Sequence, residues 1–237
     1  MRFIPFLHRG RTLCAAALLV AGVLAGCATG GGVTADLDPV SSPAWATDMA
    51  RFAAEDAATP PPGRPIVFTG SSSVRMWTTL AADFPEVAVL NRGFGGSQVR
   101  DAVWYADEIA LRYRPRQIVL YAGDNDIAEG RSAAQVLADT QAFVTRIRAT
   151  LPGTPIALLG IKPSPSRANL LDVQRAANDA LRDWAATQRN IAYIDVFTPM
   201  LDADGVPRED LFIADRLHMN AAGYAMWRDI IGPYLLR

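Results

Sequence analysis

The sequence is poor in the side chains that most often bind metals or act as nucleophiles, because its 237 residues include 2 Cys and 2 His. Lys162 is the only lysine, so nearly all of the positive charge comes from arginine. A formal net charge of −1 makes no general electrostatic case for nucleic acid, which binds to a basic face, and we therefore expect no nucleic-acid partner. Hydrophobic residues make up 50% of the chain and charged residues 20%, which excludes a disordered protein and is typical of a globular one.

The N-terminal region has the pattern of an export signal. Three arginines precede an uncharged run, 12–26, that is rich in Ala, Leu and Val and too short to span a membrane comfortably. The run ends in LAGC at 24–27, which resembles the lipobox of bacterial lipoproteins. The resemblance implies that residues 1–26 are removed and that Cys27 is lipidated and anchors the chain to a membrane. The alternative is an ordinary secretory signal that ends beside a cysteine. Because Ala28 rather than Asp follows, we expect an outer-membrane anchor facing the periplasm in a Gram-negative host.

Removal of this signal limits the chemistry open to the mature chain. Cys14 and His8 leave with it, and a lipid would block the sulfur of Cys27. No thiol then remains as a nucleophile, and a zinc site with two imidazoles is excluded. We expect no metal and no cofactor, and any imidazole that transfers a proton must be that of His218.

The rest of the sequence predicts a flexible tether, 27–44, followed by one domain, 45–237. The tether contains Gly, Ser and Pro and has no apolar periodicity. Trp45, Met49 and Phe52 then recur at helical spacing and predict a short helix that ends before the prolines at 60–62.

Five short apolar runs predict strands that are buried on both faces of a parallel sheet. They lie at 66–69, 87–90, 118–121, 156–159 and 191–194. Amphipathic segments alternate with these runs, so the fold class is α/β, a three-layer α/β/α sandwich with a five-stranded parallel sheet. Ligands bind at the carboxyl ends of the strands in this architecture, which makes the loops after the runs the candidate site.

Three helices between or after these strands can be placed from the sequence. Ser132 and Gln135 form a capping box before an apolar face that extends to residue 151. Asn220 is expected to cap a last helix, 221–231. Between them, one further helix is predicted to bury a single apolar face, made up of Leu170, Val173, Ala177, Leu181 and Trp184.

The loop after the first run contains Ser71, Ser72 and Ser73 and leads into a predicted helix through Trp77. A serine on a strand-to-helix turn is the setting of a nucleophile elbow, and the alternative is a serine-rich helix cap. Val74 stands where the second glycine of Gly-x-Ser-x-Gly would be, which counts against an α/β-hydrolase fold.

Two further loops add polar and glycine residues. The second loop contains Gly93, Gly95 and Gly96, which permit close approach of the backbone to a ligand or simply form a tight turn. The third loop reads GDND at 123–126, and its spacing does not continue as a calcium loop, so Asn125 is a candidate ligand-facing amide or part of an Asx turn.

Asp215 and His218 lie three residues apart near the C-terminus. In a turn, a carboxylate at this spacing can accept a hydrogen bond from the imidazole and fix its tautomer. The alternative is an unrelated surface pair.

Taken in order, these four loops resemble the SGNH, or GDSL, esterase and lipase superfamily, and the resemblance covers nearly all of residues 45–237. It implies a flavodoxin-like SGNH hydrolase fold in which Ser72 is the nucleophile and Asp215 and His218 complete a triad. The backbone of Ser72 and Gly96 and the side chain of Asn125 would form the oxyanion hole.

The resemblance leaves Gly93 and Gly95 as alternatives to Gly96. The chain departs from the name-giving motif, because Ser71 replaces its Asp and Ser73 its Leu. The implied activity is hydrolysis of a carboxylic ester of a small molecule, glycan or lipid, without a cofactor or metal. The alternatives are an O-acyltransferase on the same fold and a non-catalytic lipoprotein that binds a glycan or a partner.

Overall fold

The computed structural model describes residues 42–237. The predicted signal segment and Cys27 lie outside these residues, as does most of the predicted tether. The last residues of the tether belong to a 3₁₀ helix at Ser42–Trp45. Between residues 42 and 237, no helix is both long and apolar enough to cross a bilayer.

The centre of the fold is a five-stranded sheet in which all strands are parallel and ordered β2-β1-β3-β4-β5. The strands are β1 Ile66–Gly70, β2 Val89–Gly93, β3 Gln117–Tyr121, β4 Ile156–Leu159 and β5 Ile191–Ile194. From β1 the chain adds β2 on one side of the sheet and β3, β4 and β5 on the other. The strand order therefore switches between β1 and β3, which opens a crevice at their carboxyl ends. The predicted three-layer α/β/α sandwich is confirmed.

Helices cover both faces of the sheet. They are α1 Ala46–Ala58, α2 Ser72–Arg75, α3 Leu80–Asp83, α4 Val99–Trp104, α5 Ala106–Ile109, α6 Asp124–Ala128, α7 Ala133–Thr150, α8 Leu171–Ala186 and α9 Ala221–Ile231. Buried side chains of α2, α3 and α9 form the core on one face, and those of α1 and α4–α8 form the core on the other. The predicted capping box of α7 and the predicted Asn220 cap of α9 are both confirmed.

Alternation along β3 shows how one strand serves both cores. Ile118 and Leu120 point to the side of α7 and α8, and Val119 and Tyr121 to the side of α9. The Tyr121 ring lies 4.9 Å, centroid to centroid, from that of Trp227, which is fully buried. Each large side chain removed from water in this way stabilises the fold by about 1.5–3 kcal/mol.

The prediction for β2 was wrong in its bounds, because the strand begins at Val89 and continues through residues that were placed in a loop. Asn91 lies within the strand and donates from Nδ2 to the carbonyl of Val74 at 2.6 Å. Arg92 is 3% exposed, because its guanidinium pairs with Asp56 and donates to the Tyr113 hydroxyl. These partners come from distant parts of the sequence and satisfy the hydrogen-bonding groups of the polar side chains in this edge strand.

The predicted buried face of α8 was wrong by one position. Val173 is 38% exposed, and Gln174 and Asn178 are buried instead. Asn178 accepts from the Ile161 N–H at 2.7 Å and donates to its carbonyl at 3.0 Å, which ties α8 to the end of β4. The predicted helix after the serine run is also divided, into α2 and α3, and the edge strands β2 and β5 are only partly buried.

Candidate active site

The turn after β1 brings a serine to the carboxyl edge of the sheet. Gly70 has a φ of 119°, and a Cβ there would lie 1.8 Å from the carbonyl oxygen of Tyr121, so only glycine fits. The Ser71 N–H donates to that carbonyl at 2.9 Å, which fixes the turn against β3. Ser72 follows as the first residue of α2, with its side chain at the surface of a cleft.

The segment after the 3₁₀ helix Glu209–Leu211 forms a tight loop that carries Asp215 and His218. One carboxylate oxygen of Asp215, Oδ1, accepts from the backbone N–H groups of Leu217 and His218, both at 2.9 Å. The Ile213 N–H donates to the His218 carbonyl at 2.9 Å and closes the loop. The other carboxylate oxygen remains free to meet the imidazole.

Three side chains form a continuous hydrogen-bonded chain across this edge. Asp215 Oδ2 lies 2.6 Å from His218 Nδ1, and His218 Nε2 lies 3.0 Å from Ser72 Oγ. Partial burial raises the pKa of the Asp215 carboxyl, but the hydrogen bonds from the imidazole and the two backbone N–H groups outweigh it and lower the pKa to about 2. An ionised carboxylate can only accept a hydrogen bond, so Asp215 makes Nδ1 of His218 the donor and leaves Nε2 facing Ser72.

Of the three consecutive serines, the structure brings only Ser72 to His218. Ser71 and Ser73 are each 2% exposed. Ser71 is the N-cap residue of α2, and the Ser73 carbonyl accepts a hydrogen bond from the Tyr224 hydroxyl at 3.0 Å. Both neighbours therefore support the turn and have no access to the cleft.

The three candidate glycines have different surroundings. A Cβ at Gly93 would lie 2.2 Å from the backbone nitrogen of Arg75, so this glycine permits close packing of α2 against β2. Gly95 lies under the Arg75 side chain, and its carbonyl accepts from Trp45 Nε1 at 2.9 Å. Gly96 lines the cleft with a φ of 80° and has open space where a side chain would be.

Asn125, in α6, reaches the same cleft from the end of β3. Its Nδ2 donates to the Ser97 carbonyl at 3.0 Å, and its Oδ1 accepts from Arg167 Nη2 at 3.2 Å. The next residue, Asp126, is fully buried and accepts from the Val99 N–H at 3.0 Å. Burial raises the pKa of Asp126 to about 7.

The cleft has a volume of about 410 Å³ and contains all the predicted triad and oxyanion-hole residues except Asp215. Its lining is formed by Asp48, Ser72, Arg75, Gly95, Gly96, Asn125, Leu217 and His218. A somewhat larger cleft, of about 500 Å³, lies between the α3–β2 connection and the C-terminal residues. It contains none of the predicted site residues, so the smaller cleft is the candidate site. No cluster of residues within 42–237 has the three or more ligating side chains that a metal ion needs.

Sequence reasoning missed two cations behind the site. Lys162 is 1% exposed and donates to the Leu217 carbonyl at 2.8 Å. Arg167 contacts Asn125, as described above, and pairs with Asp124 at 2.7 Å. The solitary position of Lys162 in an apolar run after β4 was a usable signal, because a charged residue there is expensive to bury without a partner.

The sequence profile of the GDSL-like lipase/acylhydrolase family matches residues 59–226. The chain belongs to this family. Its members hydrolyse esters, and this GDSL-like protein is accordingly an ester-hydrolysing enzyme. The match spans every element that carries a predicted site residue.

Solved structures resemble the GDSL-like chain over most of its length. A Streptococcus pneumonia protein described as a platelet activating factor is 22% identical with a TM-score of 0.70, covering 80% of this chain and 92% of its own. A GDSL-like lipase from Bacteroides thetaiotaomicron is 20% identical with a TM-score of 0.67, covering 78% and 96%. The lipase/acylhydrolase from Enterococcus faecalis is 20% identical with a TM-score of 0.57, covering 72% and 94%. At these identities the likeness concerns the fold. A comparison with curated proteins found no match.

Proposed function

We propose that this GDSL-like enzyme is a serine esterase that uses Ser72, His218 and Asp215 as a catalytic triad. The observation that carries the proposal is the unbroken hydrogen-bonded chain, 2.6 Å from Asp215 to His218 and 3.0 Å from His218 to Ser72. These lengths lie within the range over which a base accepts a proton from a nucleophile.

The reaction proceeds by two-step acyl transfer. Ser72 Oγ attacks the ester carbonyl carbon as its proton passes to His218 Nε2. The carbon–oxygen bond to the alcohol then breaks, and His218 delivers the proton to the departing alkoxide, which leaves an acyl-serine. Water attacks this second ester in the same way, releases the acid and restores the hydroxyl, while Asp215 stabilises the imidazolium in both steps.

The negative oxygen of each tetrahedral intermediate is bound by the backbone N–H groups of Ser72 and Gly96 and by Asn125 Nδ2. The positions of Gly96 and Asn125 on the wall of the same cleft as Ser72 support this assignment. Fixed donors of this kind act without reorganisation when charge develops, so they lower the barrier more than they strengthen substrate binding.

The lining of the cleft favours a short acyl group, such as acetyl, on a polar alcohol. Leu217 is the one aliphatic side chain among the residues that line it, and Asp48 and Arg75 add charge. Each further CH₂ of an acyl chain contributes about 0.8 kcal/mol only where apolar surface covers it. Beyond Leu217 no aliphatic side chain within residues 42–237 lines this cleft to cover a longer chain, so longer chains gain little by binding here.

A panel of p-nitrophenyl esters with acyl chains of two to twelve carbons tests the proposal on the purified full chain. We expect hydrolysis by the wild type, a decline in kcat/KM with chain length, and no measurable turnover by Ser72→Ala or His218→Ala. A second series supplies an acceptor sugar and identifies the products. Transfer of the acyl group to the sugar in preference to water would replace the hydrolase proposal with an acyltransferase. Absence of turnover for every ester would point to a binding protein.

We also propose that Cys27 carries a lipid that anchors the enzyme in the bacterial envelope, facing the periplasm. The support is the LAGC box at the end of the apolar run, together with Ala28 at the following position. The tether at 27–44 would then place the catalytic domain near a membrane surface.

A further inference from the structure

Behind the candidate site lies a buried group of charged side chains centred on Lys162. Its Nζ donates to the Leu217 carbonyl at 2.8 Å, to Ser164 Oγ at 3.2 Å and to Asp124 Oδ2 at 3.4 Å. Burial lowers the pKa of Lys162, and the carboxylate of Asp124 works in the opposite direction. The Leu217 carbonyl belongs to the peptide bond that leads into His218, so Lys162 holds the backbone of the residue that carries the base.

Asp124 connects this lysine to a second cation. Its carboxylate is nearly inaccessible to solvent and lies 2.7 Å from Arg167 Nη1. It also accepts from Gln174 Nε2 at 3.3 Å. The two cations therefore share one buried carboxylate, and Asp124 immediately precedes Asn125 in α6.

Arg167 reaches past Asp124 to the side chain of Asn125. A carboxamide can present either its NH₂ or its oxygen to a cleft, and only its hydrogen-bond partners decide between them. The Ser97 carbonyl can only accept, so Asn125 Nδ2 must face it. Arg167 can only donate, so Asn125 Oδ1 must face the guanidinium. Both partners specify the same orientation, in which the nitrogen is the donor available for the oxyanion.

Burial of Lys162 and Asp124, with Arg167 partly buried beside them, is a poor way to gain stability. The desolvation of such a group offsets most of the attraction within it, and apolar side chains of the same size would stabilise the fold at least as well. The cluster does, however, fix two groups that approach the cleft from different elements, Asn125 from the end of β3 and His218 from the C-terminal loop. The loop of Lys162 and Arg167 contacts the His218 loop a second time, where the Ser166 N–H donates to the Arg216 carbonyl at 3.0 Å.

We propose that Arg167 and Lys162, joined through Asp124, are positioning residues for ester hydrolysis. Arg167 orients the carboxamide of Asn125 toward the oxyanion, and Lys162 holds the peptide before His218 so that its imidazole meets Ser72. This inference rests on the roles assigned to Asn125 and His218 under the proposed function.

A double-mutant cycle separates positioning from general support of the fold. Arg167→Met is measured in the full wild-type chain and again in Asn125→Ala. If Arg167 acts by orienting the amide, its loss should lower kcat by about tenfold or more in the wild type, toward the 10²–10³ of losing the donor, with a smaller change in KM. In Asn125→Ala the same substitution should change kcat less than twofold, because no amide remains to be oriented.

Two further variants sharpen the cycle. Arg167→Lys keeps a positive charge for Asp124 but lacks the two guanidinium nitrogens that contact Asp124 and Asn125 together. Its Tm should therefore exceed that of Arg167→Met and match the wild type, while its kcat stays low. Arg182→Met is the control, because Arg182 pairs with Asp179 on α8 and is 52% exposed. It should leave kcat unchanged.

NMR and kinetics together test the role of Lys162. Lys162→Met should lower kcat and change the chemical shift of the proton on His218 Nδ1, which resonates downfield. Arg167→Met should leave that chemical shift unchanged. If Lys162→Met does not fold, Asp124→Asn tests the role of Lys162 with the side-chain volume conserved. The same change in the chemical shift of the His218 Nδ1 proton is expected.

Equal losses of kcat for Arg167→Met in both backgrounds, or full recovery of kcat in Arg167→Lys, would overturn the Arg167 assignment. A His218 proton that does not move in a folded Lys162 or Asp124 variant would overturn the Lys162 assignment. Failure of the proposed function would show separately, as hydrolysis by Ser72→Ala or a wild-type kcat in Asn125→Ala. Either result would overturn this inference with it.

Discussion

Removal of the Asn125 carboxamide should reduce turnover strongly while leaving the triad in place. One N–H of Nδ2 is used by the Ser97 carbonyl at 3.0 Å, and under the proposed function the second donates to the oxyanion. Asn125→Ala would then remove one of the three proposed donors. The loss of one such donor lowers kcat by about 10²–10³, equivalent to roughly 2.7–4 kcal/mol of transition-state stabilisation.

The same substitution has a separate effect on folding. The Ser97 carbonyl and Arg167 Nη2 each lose a partner, and an unsatisfied buried polar group costs about 1–3 kcal/mol. Denaturant unfolding of the variant measures this cost independently of catalysis. Asn125→Asp should be at least as damaging to kcat, because it replaces the donor with an acceptor and places a negative charge beside the oxyanion.

Steady-state kinetics on a short-chain ester is the assay for both variants. The expected pattern is a large fall in kcat with a smaller change in KM, since the donor acts mainly in the transition state. A folded Asn125→Ala enzyme with a kcat near that of the wild type would refute the oxyanion assignment.

The remaining predictions concern stability and anchoring. Burial raises the pKa of Asp126 to about 7 from an ordinary value of 3.8, so the folded state holds this proton between about pH 4 and 7 and the unfolded state does not. Its contribution to stability is therefore complete below about pH 4 and is lost as the pH rises to about 7, by at most about 4 kcal/mol. Asp126→Asn should remove this slope in urea unfolding measured across the range, and an unchanged slope would contradict the origin given for it. Ser132 Oγ accepts from the Gln135 N–H at 3.3 Å, so Ser132→Ala should cost about 1 kcal/mol in the same measurement without changing kcat. Cys27→Ser should abolish incorporation of labelled fatty acid in cells, and a wild-type protein that takes up no label would contradict the anchor.

The sheet could be predicted from sequence where burial alone decides the structure. The central strands β1, β3 and β4 are buried along their whole length, and their apolar runs marked them within one residue. The edge strand β2 could not be bounded in this way. The polar residues Asn91 and Arg92 remain in this strand because the Arg92 guanidinium binds Asp56, which lies 36 residues earlier in the chain.

Tertiary partners also explain the error in α8. Periodicity assigns apolar side chains to the buried face, which placed Val173 inside. The structure buries Gln174 and Asn178 instead, and the carboxamide of Asn178 satisfies both backbone groups of Ile161, just after β4. A sequence pattern records hydrophobicity and cannot record which backbone groups need a partner.

The candidate site residues that lie in local motifs could be named from sequence, and the cations behind them could not. Ser72, Asn125 and the Asp215 and His218 pair each lie directly after a strand or within one turn, where spacing is informative. Lys162 contacts a carbonyl 55 residues further along the chain. Only the folded arrangement of β4 against the C-terminal loop brings that contact about.

Covalent labelling of the nucleophile tests the central claim most directly. The full chain is treated with a fluorophosphonate, digested, and analysed by mass spectrometry to locate the modified serine. The triad geometry predicts a single adduct on Ser72, lost in Ser72→Ala and retained in Ser71→Ala and Ser73→Ala as matched controls. An adduct on either neighbouring serine, or labelling that persists in Ser72→Ala, would contradict it.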